Sequence, residues 1–99
     1  MRGTGKTTEQ MQQAPPRAIY LWLNASTYYP KKLARELRRN DLEIMSINEF
    51  VQGEKFRGRR LSAVVVDHAV YVPSTTGAYD LLDRLSHSGV QVKMYGYDW

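Results

Sequence analysis

The chain has 99 residues, a formal net charge of +4 and no cysteine. That length reads as one domain over residues 1–99, and the missing thiols exclude a disulfide scaffold and any thiolate metal site. The basic balance mildly favours an anionic partner such as nucleic acid, phosphate or an acidic protein face.

Residues 4–13, TGKTTEQMQQ, are good helix formers that follow a glycine, and Pro15 and Pro16 stop them. Residues 18–23, AIYLWL, form an apolar run that suits a buried strand, and a polar loop, residues 24–27, follows. A second helix is expected over residues 30–39, with Pro30 in its first turn and Leu33, Ala34 and Leu37 on one face. Residues 42–47, LEIMSI, read as a second strand. Asn48 is the expected cap of a short helix over 49–54. Residues 61–67, LSAVVVD, carry the strongest strand signal, and 77–88 form an amphipathic helix with Gly89 as its C-cap. Residues 90–95 are the last strand, before an aromatic tail. No apolar stretch approaches the length needed to cross a bilayer, and no apolar signal segment opens the chain, so a soluble, cytoplasmic protein is expected.

Strands alternate with helices, which predicts an α/β layer fold with a mainly parallel sheet of about four strands. Ligands of such sheets gather at the carboxyl ends of the strands. Asn24, Asp67 and the opening glycine segment are expected at that edge.

The opening stretch, Gly3-Thr4-Gly5-Lys6-Thr7-Thr8, matches the second half of the phosphate-loop pattern G-x-x-x-x-G-K-[ST]. In that pattern glycines let backbone N–H groups surround a phosphate, the lysine meets the outer phosphates and the threonine hydroxyl meets magnesium. Asp67 follows four apolar residues at the end of a strand, a position that suits a magnesium-binding acid. Taken alone, Asp67 reads more simply as the polar stop of a buried strand, and the glycine segment can be read as a flexible tail.

Taken together, RGTGKTT at 2–8, AIYLWLNAST at 18–27, LEIMSINEFVQG at 42–53 and SAVVVDHAVYV at 62–72 resemble the first motor domain of RecA-like helicases and related P-loop NTPases. The resemblance implies a three-layer P-loop-like fold, ATP and magnesium as cofactors, and nucleotide contacts by Gly3, Thr4, Gly5, Lys6, Thr7 and Thr8. It implies magnesium contacts by Thr7 and Asp67. It also implies that the loop after the second stretch lies near nucleic acid.

The departures are as informative. His68 stands where active members carry the glutamate that activates water, so His68 is the one catalytic candidate if the protein hydrolyses nucleotide. The first loop glycine and the family's usual first strand have no counterpart. These losses favour a degenerate domain that works by binding a macromolecule without efficient catalysis and without an obligatory cofactor. Some small proteins of this kind, encoded by bacteriophages and mobile elements, inhibit host machinery. A missing central strand leaves an open sheet edge or a gap, which predicts self-association or a protein partner.

A basic face offers a third reading. Lys31, Arg35, Arg38 and Arg39 fall at i, i+4, i+7 and i+8 of the second helix, Lys32 lies beside them, and Arg57, Arg59 and Arg60 form another cluster. Tyr28 and Tyr29 precede them and can stack bases; with Asn24, Ser26 and Thr27 they make a candidate nucleic-acid or partner surface. The plain alternative is a solvated helix face, interrupted by Glu36. His68 and His87 have no third ligand at metal-binding spacing.

Overall fold

The computed structural model describes residues 4–22, 26–53, 61–67 and 77–94. Eight elements alternate along them: α1 (Thr4–Gln13), β1 (Ile19–Trp22), α2 (Tyr28–Glu36), β2 (Glu43–Ser46), α3 (Ile47–Gln52), β3 (Ala63–Val66), α4 (Gly77–His87) and β4 (Gln91–Met94). The four strands form one sheet in the order β2-β1-β3-β4, with every pairing parallel.

The central strands β1 and β3 are apolar throughout because both faces of the sheet are covered there, whereas the edge strand β4 leaves Gln91 and Lys93 exposed. On one face Tyr20, Ile44, Ala63 and Val65 pack against Met11 of α1, Ala14 just after it and Ala34 of α2. On the other, Ile19, Leu21, Met45, Val64 and Val66 pack against Phe50 of α3 and Ala78 and Leu82 of α4. The result is the expected three-layer α/β fold. The chain steps outward from β1 to β2 with α2 on the first face. It steps the opposite way, β2 to β3 to β4, with α3 and α4 on the second face. Opposite directions on opposite faces give all three crossovers the same hand, as strand twist requires.

Local chemistry sets the boundaries. α2 spans 28–36 rather than the expected 30–39, because its C-terminus closes in a Schellman turn. Arg39 N–H donates to the Ala34 carbonyl at 2.7 Å and Arg38 N–H to that of Arg35 at 3.0 Å. This turn places Arg38 at φ 60, in the left-handed region. α4 ends in the same turn, with Gly89 at φ 101 in the equivalent place, as expected. α3 starts two residues earlier than expected. Its cap is Ser46, not Asn48: Ser46 Oγ accepts from Glu49 N–H at 3.2 Å, and Glu49 Oε1 accepts from Ser46 N–H at 3.1 Å.

The strands pair without a gap among the described residues, and β2 and β4 are the edges. Glu43 N–H donates to the Ala18 carbonyl, so Glu43 and Met45 turn their backbone groups toward β1, and Ile44 and Ser46 turn theirs outward. The capping box takes the Ser46 N–H. Among the described residues, the outward amide of Ile44 has no acceptor.

Candidate functional site

The strand connections diverge between β1 and β3: β1 leads outward to β2, and β3 leads the other way to β4. In open parallel sheets, this switch point is where a crevice forms outside the carboxyl ends of the strands. Asp67 stands there, immediately after β3, with its N–H donating to the Leu21 carbonyl of β1 at 3.2 Å. α1 runs antiparallel to the strands, so its first turns reach the same edge.

The chain brings four polar side chains together at this point. Thr7 Oγ1 donates to Asp67 Oδ1 at 3.1 Å, and the Tyr20 hydroxyl donates to the same oxygen at 2.5 Å. Gln10 Oε1 stands 3.3 Å from that hydroxyl. All four are buried: Asp67 is 1% exposed, Thr7 4%, Gln10 6% and Tyr20 0%. Thr7 and Gln10 are one helical turn apart on the buried face of α1, alongside Met11. A buried carboxylate is costly unless it is hydrogen-bonded, and here two hydroxyls donate to it, while the Asp67 backbone N–H is tied to the Leu21 carbonyl. The first turns of α1 also bring the positive end of a helix dipole beside it.

The arrangement has a definite chemical capacity. Thr7 uses its one proton on Asp67, and its oxygen lone pairs remain for a cation. Magnesium takes oxygen ligands at about 2.0–2.1 Å in an octahedron, so adjacent ligands lie about 3 Å apart. Asp67 Oδ1 already accepts from Thr7 and Tyr20, so a cation beside Thr7 would meet the other carboxylate oxygen or displace one of these protons. No group of three or more His, Cys, Asp or Glu is placed to hold a metal among the described residues. A magnesium ion held by Thr7 and Asp67 would therefore draw its other ligands from water and phosphate, its usual habit.

Other candidate residues divide into those brought to this edge and those drawn away. Thr4, Gly5 and Lys6 have helical backbone in the first turn of α1, so residues 4–8 form a helix start rather than an open loop. The side chains of Thr4 and Lys6, and all of Gly3, Asn24, Arg57, Arg59, Arg60 and His68, lie outside the described residues. Thr8 is half-buried on α1. Ser26 is exposed, and Thr27 precedes α2 without a side-chain cap bond. Tyr28 is 72% exposed and Tyr29 43%, and the Tyr29 ring lies 5.9 Å from that of Trp22 at 41°. Lys31, Lys32 and Arg35 are exposed along α2.

The expected four-residue basic stripe is not formed. Arg38 leaves the helix in its left-handed turn, and Arg39 turns back toward α1. The Arg39 guanidinium donates to the Met11 carbonyl at 2.6 Å and to that of Pro15 at 3.3 Å, and it pairs with both oxygens of Asp41 at 3.0 Å. It thus caps the C-terminus of α1, where a cation is favoured. This fork and the Arg17 N–H pull the Asp41 carboxyl down to about 2. His87 Nδ1 lies 2.8 Å from the Asp83 carbonyl at the end of α4.

Tyr20 and Gln10 were not legible as site residues. Tyr20 sits inside an apolar run and Gln10 in a stretch of helix formers. The available signal was the polar Thr7 and Gln10 on the same helical face as Met11 and Ala14, and a strand tyrosine whose hydroxyl needs a partner.

Compared with protein-family models, curated proteins and solved structures, the chain matched none.

Proposed function

We propose that this chain is a P-loop-like domain that binds a magnesium–nucleoside triphosphate at the α1–β3 edge and acts through binding rather than efficient turnover. The observation that carries this reading is the hydrogen bond from Thr7 to Asp67, 3.1 Å, between residues sixty positions apart. It joins the hydroxyl of the Gly5-Lys6-Thr7 segment to the strand-end acid, the two groups the phosphate-loop chemistry needs side by side. In this reading the first-turn N–H groups of α1, which have no intrahelical acceptors, meet phosphate oxygens, and Lys6 adds a point charge. Thr7 and Asp67 would hold the magnesium, whose chemistry there would be to neutralise charge on the phosphates. Tyr20 keeps the Asp67 carboxylate turned toward Thr7. His68 in place of a second acid supports binding over hydrolysis.

The test is a thermal melt with and without magnesium-ATP, on the wild type and on Lys6→Ala. A ligand at a hundred times its dissociation constant stabilises the fold by about 2.7 kcal/mol. A shift that Lys6→Ala abolishes, with little phosphate release, is the expected result. An unchanged melt in both proteins refutes the reading.

A nucleic-acid role is the second reading, favoured by the exposed Tyr28 and by the Trp22–Tyr29 ring pair beside Lys31 and Lys32. Aromatic side chains next to cations suit stacked bases. Oligonucleotide binding that weakens steeply with salt and is lost in Tyr28→Ala is its expected signature.

A further inference from the structure

α2 and the edge strand β2 enclose a cavity of about 220 Å³ on the side of the sheet away from β4. It is lined by the buried Ala34, Leu42 and Ile44 and by the polar Lys31, Arg35, Arg39 and Asn40. Arg39 is committed to Asp41 and to the carbonyls that end α1. Lys31 and Arg35 are exposed, one helical turn apart, and neither has an acid partner among the described residues. Like charges at that spacing repel one another, so an acid between them gains from both. Ile44, whose amide faces outward from β2, is among the residues that line this cavity.

We propose that this groove docks an extended acidic segment of a partner protein. An aliphatic side chain of the segment covers the apolar lining of Ala34, Leu42 and Ile44, and its carboxylates meet Lys31 and Arg35. Its backbone pairs with the N–H and C=O of Ile44, as in strand addition to a sheet edge. With one residue of β2 facing outward between two committed neighbours, backbone pairing sets register and the charges supply most of the attraction. A protein segment suits the groove better than a nucleic-acid strand. The apolar lining is aliphatic, whereas sequence-tolerant nucleic-acid grooves rely on aromatic platforms, and phosphates and bases cannot complete a strand edge. The site is separate from Asp67, since β1 lies between β2 and β3.

The probe is a fluorescein-labelled synthetic peptide alternating glutamate and valine, titrated with the 99-residue chain at low salt. The expected result is saturable binding that falls about tenfold or more in Lys31→Glu/Arg35→Glu, with slowed hydrogen exchange at the Ile44 amide. Both substituted residues are exposed, and matching melts of variant and wild type confirm the fold. A peptide alternating lysine and valine is expected not to bind. The proposal is overturned by absent binding, by equal binding to the variant, or by an Ile44 amide that does not respond. It is equally overturned if oligothymidylate binds more tightly with the same loss in the variant, which assigns the groove to phosphates.

Discussion

Thr7 donates its hydroxyl proton to Asp67 at 3.1 Å, and Tyr20 donates to the same carboxylate oxygen at 2.5 Å. One oxygen thereby ties the first helix to the two central strands. The pair serves stability whether or not a ligand is present, which separates two predictions.

Tyr20→Phe removes one hydrogen bond to a buried carboxylate and leaves the ring in place. It is expected to cost about 1.5–3 kcal/mol. Urea denaturation of wild type and variant, with equal m values, checks this. A loss below a few tenths would mean that Asp67 finds a substitute donor.

Thr7→Val keeps shape and removes both the proton for Asp67 and the lone pairs for a cation. Stability without ligand is expected to fall by about 1–3 kcal/mol. Any stabilisation by ATP is expected to lose its dependence on magnesium, which melts with and without EDTA would reveal. Tyr20→Phe is expected to retain that dependence, since Thr7 still faces Asp67.

Asp41 gives the fold an acid-sensitive clamp. Its carboxyl is lowered from 3.8 to about 2, first by the hydrogen bonds from the Arg39 side chain and next by the Arg17 N–H. A lowered folded-state value contributes stability that is complete above 3.8 and is lost as pH falls toward 2. Asp41→Asn is expected to flatten the stability curve across that window, and salt is expected to shrink the difference, because the pair is partly solvent-exposed. Urea midpoints measured against pH for both proteins provide the check.

The two Schellman turns predict opposite substitutions. Arg38 holds φ 60 with a side chain, and it is exposed, so Arg38→Gly is expected to stabilise by roughly 0.5–1 kcal/mol. At Gly89, φ +101, an added Cβ meets nothing within 4 Å, so Gly89→Ala is expected to cost about 1 kcal/mol through backbone strain alone. Equilibrium unfolding of the two variants tests both signs.

For α3, Ser46→Ala is expected to cost about 1 kcal/mol and Asn48→Ala almost nothing. Comparable losses for both would contradict the capping box seen at Ser46 and Glu49.

Much of this architecture was written in local pattern. The alternation of apolar runs with amphipathic helices determined four parallel strands and four helices, since a strand buried on both faces must be apolar throughout and a helix on a sheet must carry one apolar stripe. Gly89 ended α4 as expected, because a left-handed residue is a local requirement. The opening segment and Asp67 were expected at one edge of the sheet; the hydrogen bond that joins Thr7 to Asp67 directly was not. What the tertiary structure decided was the fate of side chains whose partners are distant in the chain. Arg39 could have continued a basic helix face, but the exposed carbonyls at the end of α1 and the Asp41 carboxylate offered it more than solvent did. Ser46 displaced Asn48 as a cap because the strand end sets which residue leaves the sheet with extended backbone, at φ −78 and ψ 166. Tyr20 joined the site because parallel register turns its hydroxyl toward α1, a direction that spacing along the chain does not carry. Local patterns specify elements through short-range sterics and periodicity; which polar groups meet inside depends on how the elements pack.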